Sequence, residues 1–505
     1  MLSQVQVIHG HQSQLRNLVK RNITVGLHTF IHDGSIATYD RDTKEFKYLK
    51  FERLSGEKEQ SYNDLTSWIK YLNHLGYSTD DNLNIFLVDS WRIIEKLGGQ
   101  KIPKFDDLTL VDHHVAHHFS TNHFNSLVMD KSGSQMDVLT VFKKNNEKQK
   151  LRMNNNVSLA YTLQSLWETW FIDKTEDSIL KNHHNWAGHC MALAGFGKDH
   201  SDKIGRQTFR NYLQELEEFC SKFPELSYVE NCNNYVASLH FHWYKKIRNI
   251  LKRHFNKNDK ICASGGQTEN IILNTLLKND FPRYEPTPHC GDEGASIGAL
   301  IYGLKIMWKA KVNFNLSNLH QHDENFGYAS QKTIKKVAKL LYDGKLVMWG
   351  QGWGEVGPRA LGFRSILMNP CVPNAKEIIN DKVKKRVWFR PYGASVPTDS
   401  YKKYFDFGYE SPWMLYQAKV KDPEKFKNIT HADGTCRIQT VDKNHNPTFL
   451  RLLKEFEKLS GYPVLINTSL NIPGKPIVGT KKQAIFMFDN SQADVLVIGD
   501  SVYTK

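Results

Sequence analysis

Val111-Asp112-His113-His114-Val115-Ala116-His117-His118 joins an apolar segment (Leu108, Leu110, Val111) to the first turns of a predicted helix. With Asp112 as a capping side chain, His113 and His117 lie one turn apart on one face, and His114 and His118 share the next face. Two imidazoles at i and i+4 can bite one metal ion if a further ligand comes from elsewhere. The same pattern also fits a His-rich start to a surface helix, so the rest of the chain has to supply that ligand.

Working outward, the flanking segments read as alternating strand and helix. Ile23–His28 and Ser35–Tyr39 form a predicted hairpin around Ile31-His32-Asp33-Gly34. Strands are also expected at Phe46–Phe51, Asn84–Asp89 and Met136–Phe142, and helical periodicity around Leu65–Leu75. The middle of the chain reads as helical at Leu159–Phe171, Trp186–Ala194, Phe209–Phe223 and Tyr235–Phe255. The last of these carries Lys245, Lys246, Arg248, Lys252 and Arg253, which suit either a phosphate backbone or a solvated helix face. A polar stretch, Asn318–Gln331, reads as a linker, followed by a helix (Thr333–Tyr342) and a strand (Lys345–Trp349). No internal repeat and no low-complexity tract is visible.

A chain of 505 residues is too long for one core. With 40% hydrophobic and 24% charged residues it is an ordinary globular composition. No apolar run approaches the roughly 20 residues of a membrane-spanning helix, and Met1–Val7 resembles no signal peptide. Seven scattered cysteines with no CxxC argue for a reducing compartment, so a cytoplasmic protein with no membrane partner is expected. The net charge of +14 favours a polyanionic partner, nucleic acid foremost, and also suits handling of small phosphates.

Three further segments can carry chemistry. Ser264-Gly265-Gly266-Gln267-Thr268-Glu269-Asn270 stands at a strand-to-helix turn, where backbone can approach a ligand and a helix N-terminus favours anions; taken alone, it reads as a plain tight turn. Cys290-Gly291-Asp292-Glu293-Gly294 sets two carboxylates between glycines. Asp292 is either a helix cap or the third ligand to the histidine pair, and such a set suits ferrous iron, though zinc or manganese also fits. The last third concentrates arginine, lysine and glycine at Gly354–Ser365, Asn380–Arg386 and Trp388–Pro391, with Asn467–Gly474 beyond, as a pocket for phosphate-bearing ligands needs.

In this order, these segments resemble the O-carbamoyltransferase family that includes the nodulation-factor, cephamycin and tobramycin carbamoyltransferases. The resemblance covers residues 22–505. It rests on His32–Ser35, Glu52-Arg53, Asp112–His117, Gly265–Asn270, Gly291–Gly294, Gly357–Ser365, Phe389-Arg390-Pro391 and Asn467–Asn471. It implies an N-terminal extension (1–20), an actin/Hsp70-like carbamoyl-transfer domain (21–328) and an α+β adenylate-forming domain (329–505). The C-terminal domain would use ATP, with Mg2+, and carbamoyl phosphate to form carbamoyl-adenylate. Its site would include Arg359, Arg364, Lys384, Arg386, Arg390, Ser469 and Asn471. The N-terminal domain would hold the adenylate at Gly265, Gly266 and Asn270, and a metal, iron in the best-matching relatives, at His113, His117 and Asp292. His32 matches the histidine expected to deprotonate the acceptor hydroxyl. The sequence departs from the family at His189, where a lysine is usual, and at Val387-Trp388, where Arg-Glu often precedes Phe-Arg-Pro.

The motifs leave the acceptor open. The charge favours a hydroxylated base in nucleic acid, such as 5-hydroxymethylcytosine in DNA, which must be flipped or single-stranded to react. A sugar, antibiotic or other natural product is the alternative acceptor. A non-catalytic nucleotide- or nucleic-acid-binding protein on the same fold is the alternative outside the enzymes.

Overall fold

A computed structural model describes residues 20–29, 32–61, 66–89, 108–131, 137–144, 148–152, 159–168, 186–204, 212–310, 314 and 319–505. Nearly all of the expected extension 1–20, Ile31 of the turn, Leu65, Met136, 169–171, 209–211 and Asn318 lie outside them.

Two five-stranded sheets repeat one topology. In the first, β1 (Asn22–His28), β2 (Ser35–Asp40), β3 (Phe46–Lys50), β4 (Asn82–Asp89) and β5 (Leu108–Asp112) run in the order β3-β2-β1-β4-β5. The β1/β2 and β2/β3 pairs are antiparallel, and β1/β4 and β4/β5 parallel. In the second, β6 (Ser126–Met129), β7 (Asp137–Phe142), β8 (Lys148–Arg152), β9 (Ile261–Ser264) and β10 (Tyr284–Pro286) run β8-β7-β6-β9-β10 with the same pattern of directions. This is the duplicated architecture of the actin/Hsp70-type fold. The duplication escaped the sequence reading because the halves share topology and not residue pattern.

Each half sends a helix out of its fifth strand, His113–Ser120 after β5 and Ala295–Tyr302 beyond β10. The two helices meet at Gly298, where an added Cβ would lie 1.7 Å from the Ala116 carbonyl oxygen. Only glycine permits that contact, and it brings the N-terminal ends of both helices into one region. Asp112 caps the first helix, its Oδ1 accepting from Val115 N at 2.9 Å. The long helix runs Tyr228–His254, starting seven residues ahead of the sequence reading. Its start is fixed by a capping box, Ser227 with Glu230, placed before the apolar periodicity begins.

The C-terminal part forms a nine-stranded mixed sheet. It contains β11 (Val347–Gly350), β12 (Arg364–Met368), β13 (Gly393–Pro397), β14 (Phe405–Asp406), β15 (Tyr416–Val420), β16 (Thr435–Val441), β17 (Leu465–Ser469), β18 (Val495–Ile498) and β19 (Ser501–Thr504). The order is β14-β15-β16-β13-β17-β12-β11-β18-β19. Its own core is built from residues between Phe326 and Ile498, including Trp349, Ile366, Ile438 and Phe449. The polar stretch expected as a linker packs instead. Gln321 and Asp323 are buried, and His322 N donates to Tyr48 O at 2.7 Å, so its polarity serves internal hydrogen bonds. All seven cysteines are free thiols. Among the described residues, no helix is long and apolar enough to cross a membrane.

Candidate active site

At the junction of the two halves, His113, His117, Asp130 and Asp292 each turn a ligand atom to one point, all within 4.8 Å of one another and all buried. His113 Nε2 lies 2.9 Å from Asp130 Oδ2, 3.4 Å from Asp292 Oδ1 and 3.2 Å from His117 Nε2. His117 Nε2 is also 3.4 Å from Asp292 Oδ1. Ser264 Oγ donates to Cys290 O and so accepts from the Nδ1–H of His117 at 3.0 Å. That bond turns the Nε2 lone pair of His117 toward the cluster, as an outer partner of a metal-binding histidine does. Two neutral nitrogens and two anionic oxygens at this spacing fit a divalent metal.

Asp292 makes no helix-capping bond; its carboxylate faces the histidines. Its segment is tied down by the hairpin, since Ser35 Oγ and Tyr48 OH both donate to Glu293 O at 2.9 Å. Asp130 was missed in the sequence. It follows the four-residue strand β6, and its place beside the histidines arises only when β6 pairs with β9. His114 and His118 point elsewhere: His114 bonds Thr140 Oγ1, and His118 stacks on Phe142 with ring centroids 4.2 Å apart.

His32 stands at the edge of the cluster, with Nε2 3.7 Å from Asp292 Oδ2 and Nδ1 2.9 Å from Asp33 Oδ2. Burial opposes its charge, but Asp292 and the Asp33 hydrogen bond outweigh burial and raise its pKa to about 10. As the site stands, His32 is held as a cation beside Asp292. The base role implied by the family resemblance requires a cation to engage Asp292 first. His28, which unlike His32 is buried, is lowered to about 4 by desolvation.

The glycine turn borders this cluster. Gly265 has φ +95°, and a Cβ there would lie 2.3 Å from Met129 O, so the turn needs glycine on both counts. Gln267 Nε2 donates to Asp130 O, locking the turn to the acid. Asn270 spends its Oδ1 capping the next helix, from Ile272 N and Leu273 N, which leaves only its amide nitrogen for a nucleotide.

The C-terminal site residues divide. Lys384 Nζ lies within hydrogen-bond reach of Ser469 O (2.5 Å), Ser469 Oγ (3.2 Å), Asn471 O (2.9 Å) and Asn471 Oδ1 (2.6 Å), which share its three N–H groups, so Lys384, Ser469 and Asn471 form one unit. Burial, then Arg386 and Arg390, hold the Lys384 ammonium well below its usual pKa. Arg359, Arg386, Arg390 and Arg437 gather beside it. Burial and neighbouring guanidiniums lower Arg390 to about 9, and among the described residues no carboxylate pairs with Arg386, Arg390 or Arg437. Arg437, on β16, was not singled out in the sequence, where it is one strand residue among many. His189 faces this group, lowered to about 3 by burial and by Arg390 and Arg386; a lysine there would add another cation to an already crowded cluster.

Arg364 does not belong to that site, contrary to the sequence expectation. It is fully buried, and its guanidinium donates to Gln351 O, Phe363 O, Glu324 O and Gly352 O and lies 3.5 Å from Asp323. Its glycine-rich surroundings mimic a phosphate pocket, but the carbonyls of those turns engage both terminal nitrogens of its guanidinium. Arg364→Met is expected to cost about 3–5 kcal/mol of stability, as breaking a buried ion pair does, and to leave the KM for ATP of the folded fraction unchanged. Denaturant melts and steady-state kinetics would read the two effects separately.

The two sites face one another. Arg359 donates to Glu269 O at 2.9 Å, reaching from the C-terminal loop to the glycine turn. A Cβ on Gly357 would meet Pro288 O at 2.0 Å, so that loop rests on the segment leading to Asp292. Tyr416 OH donates to Tyr284 O, and Asn274 Nδ2 to Leu415 O, across the same junction.

Residues 338–505 match the family model described as carbamoyltransferase C-terminus. The nodulation protein NolNO of Sinorhizobium fredii is 37% identical over 306 residues, covering 55% of this chain and 45% of that protein. The 3'-hydroxymethylcephem-O-carbamoyltransferase of Amycolatopsis lactamdurans is 27% identical over 343 residues, covering 64% of this chain and 65% of that one. Among solved structures, the activator of 2-hydroxyisocaproyl-CoA dehydratase from Clostridium difficile with bound ADPNP aligns at a TM-score of 0.36 and 11% identity, over 58% of this chain and 99% of that one. The chain spans 45% and 65% of the length of the two curated relatives named.

Proposed function

We propose that the chain, whose residues 338–505 match the carbamoyltransferase C-terminus model, is an O-carbamoyltransferase that makes carbamoyl-adenylate from carbamoyl phosphate and ATP and transfers the carbamoyl group to an acceptor hydroxyl. The observation that carries this reading is the convergence of His113, His117, Asp130 and Asp292 at a junction that Arg359 spans from the arginine- and lysine-lined side. Water releases inorganic phosphate from carbamoyl phosphate; the carbamate left is a poor electrophile, and its oxygen displaces pyrophosphate from the α-phosphate of ATP, which gives it AMP as leaving group. Lys384, Arg386, Arg390 and Arg437 would hold the phosphates of ATP and carbamoyl phosphate, Arg by its fork and Lys as a point charge. Arg359, at the junction, would contact the phosphate shared by both halves of the reaction.

A divalent cation, iron by the family resemblance, would be held by His113, His117, Asp130 and Asp292 and would stabilise the charge growing on the adenylate phosphate as AMP leaves. His32, once Asp292 is engaged, returns toward its ordinary pKa and can take the proton of the acceptor hydroxyl. The glycine turn offers backbone donors to the adenylate phosphate. Enclosure between two domains keeps a hydrolysis-prone anhydride from bulk water.

For the acceptor, the excess of 67 basic over 53 acidic residues favours a hydroxymethylated base in DNA. A small-molecule hydroxyl is the second reading, favoured by the resemblance to an enzyme named for a hydroxymethylcephem. Mass spectrometry decides between them. DNA containing 5-hydroxymethylcytosine should gain one carbamoyl group with ATP, Mg2+, carbamoyl phosphate and ferrous iron present. A gain only on small-molecule hydroxyls would sink the nucleic-acid reading, and the absence of carbamoyl-phosphate-dependent ATP–pyrophosphate exchange would sink the enzymatic one.

A further inference from the structure

Unlike the four buried residues of the His113–Asp292 cluster, His32 has 47% of its side chain exposed. Packing alone does not fix such a ring. Among the described residues, its one hydrogen bond runs from Nδ1 to Asp33 Oδ2, at 2.9 Å. Asp33 is itself held from the far side. Its other oxygen, Oδ1, lies 2.5 Å from Lys50 Nζ, and Lys50 Nζ also reaches Glu52 Oε1 at 3.1 Å. Glu52 in turn accepts from Glu59 N through Oε2 at 2.9 Å. The Lys50 backbone is pinned as well, its N–H donating to Gln321 Oε1 at 2.8 Å. Burial opposes both charges, but Lys50 and then His32 keep the Asp33 carboxyl well below the usual carboxylate range, and Asp33 and Glu52 keep the Lys50 ammonium well above 10.5. The turn itself has little freedom: Asp33 has φ +56°, and a Cβ on Gly34 would lie 2.6 Å from the Phe51 ring.

This arrangement decides which nitrogen of His32 reacts. An ionised carboxylate only accepts, so Nδ1 must carry a proton facing Asp33. When the ring is neutral, its lone pair is then on Nε2, the nitrogen that lies 3.7 Å from Asp292 Oδ2. Without Asp33, a half-exposed neutral ring would divide its proton between two nitrogens and turn about its side-chain bonds. Lys50 has three donors and no acceptor. Its part is to keep Asp33 ionised and to stop the carboxylate from rotating away.

We infer that Asp33, clamped by Lys50, is the positioning residue that holds His32 in the Nδ1–H tautomer with Nε2 turned to the His113–Asp292 cluster. This rests on the reading of His32 as the base for the acceptor hydroxyl. In that step the hydroxyl oxygen bonds to the carbamoyl carbon, the bond from that carbon to the AMP oxygen breaks, and the hydroxyl proton passes to Nε2. Asp33 stabilises the imidazolium that forms and takes no proton.

Asp33→Asn separates orientation from bulk. Lys50 can only donate, so it claims the single amide oxygen, and the amide nitrogen is left to donate to Nδ1 of His32. The ring is then forced into the Nε2–H tautomer, which has no lone pair where the proton must go. Transfer to a 5-hydroxymethylcytosine oligonucleotide or to a hydroxymethylcephem, whichever the wild type carbamoylates, should fall by as much as about 10⁴-fold in kcat, the cost of a wrong tautomer. The KM for that acceptor, bound metal and ATP–pyrophosphate exchange should not change. Adding Lys50→Met to Asp33→Asn frees the amide to turn its oxygen to His32, so transfer should recover in part, where a merely structural role predicts a further loss. Nitrogen-15 spectra of histidine-labelled, zinc-loaded protein at alkaline pH read the tautomer with no acceptor present, His32 being assigned by its loss in His32→Gln. Wild type should show Nδ1–H and Asp33→Asn should show Nε2–H. The inference is overturned if wild type shows Nε2–H, if Asp33→Asn keeps the wild-type tautomer and kcat, or if the double variant, with metal and exchange intact, transfers no faster than Asp33→Asn. A ring protonated on both nitrogens would overturn the base reading and the inference together. If the spectra behave as expected but wild type carbamoylates neither acceptor, the base reading fails and the positioning stands.

Discussion

His113→Ala should abolish carbamoyl transfer while carbamoyl-phosphate-dependent ATP–pyrophosphate exchange continues near the wild-type rate. His113 Nε2 sits within 3.4 Å of ligand atoms from all three partners, so its loss removes the centre of the donor set. Deleting even an outer partner of a metal ligand costs roughly 10- to 100-fold in metal affinity, and a direct ligand should cost more. Bound metal per chain, measured by elemental analysis, should fall with transfer activity. A variant that keeps both full metal content and transfer would refute the assignment.

The same cluster sets a pH dependence in metal-free protein. Despite burial, which raises carboxyl pKa values, His113 and its neighbours hold Asp292 well below 3.8 and lower Asp130. A carboxyl with a depressed folded pKa stabilises above its unfolded value, and that contribution is lost as pH falls through the folded one. Burial lowers histidine pKa values, but Asp292 and Asp130 raise His113 well above 6.5, and Asp292 raises His32 to about 10. Their contribution is full below pH 6.5 and disappears as pH rises through the folded values. Roughly half of the His32 side chain is exposed, so solvent screens its share. With chelator present, thermal stability should therefore peak between about pH 4 and 6.5 and decline on the alkaline side. His113→Ala should lose most of that alkaline decline, leaving only the screened share of His32. A metal-free wild type whose melting temperature is flat from neutral to alkaline pH would contradict the coupling.

How much of this could be read in the sequence depends on how local each feature is. The histidine pair needed only helical spacing after Asp112, and both the cap and the spacing hold. The hairpin positions of β1 and β2 were likewise local. Asp130 was illegible because a four-residue strand carries little periodicity and its ligand geometry comes from pairing with a strand more than a hundred residues later. Arg364 and Arg437 show the same limit from opposite sides. One lies in a motif-rich segment but turns into backbone carbonyls; the other lies in a plain strand but faces the arginine group. Sequence neighbours did not reveal where either side chain points.

Lys384→Ala should reduce ATP–pyrophosphate exchange by at least the roughly 100-fold that removing one preorganised donor costs, while leaving metal content intact. Four acceptors on Ser469 and Asn471 fix the Lys384 ammonium, and burial beside Arg386 and Arg390 makes its charge costly in the absence of an anion. An incoming phosphate reverses that cost, so binding energy and proton uptake are linked at this side chain. Lys384→Arg should not rescue, because a planar fork cannot reproduce a point charge at a site 5% exposed. Mixing Lys384→Ala with His113→Ala tests the junction. Arg359 already reaches the glycine turn from the C-terminal side, and the Gly357 loop is seated on Pro288. An intermediate made at that junction should be used by the chain that makes it, and the mixture should remain inactive in transfer. Restored transfer would mean that the adenylate escapes to solvent and that the contact between the two sites has a structural role alone.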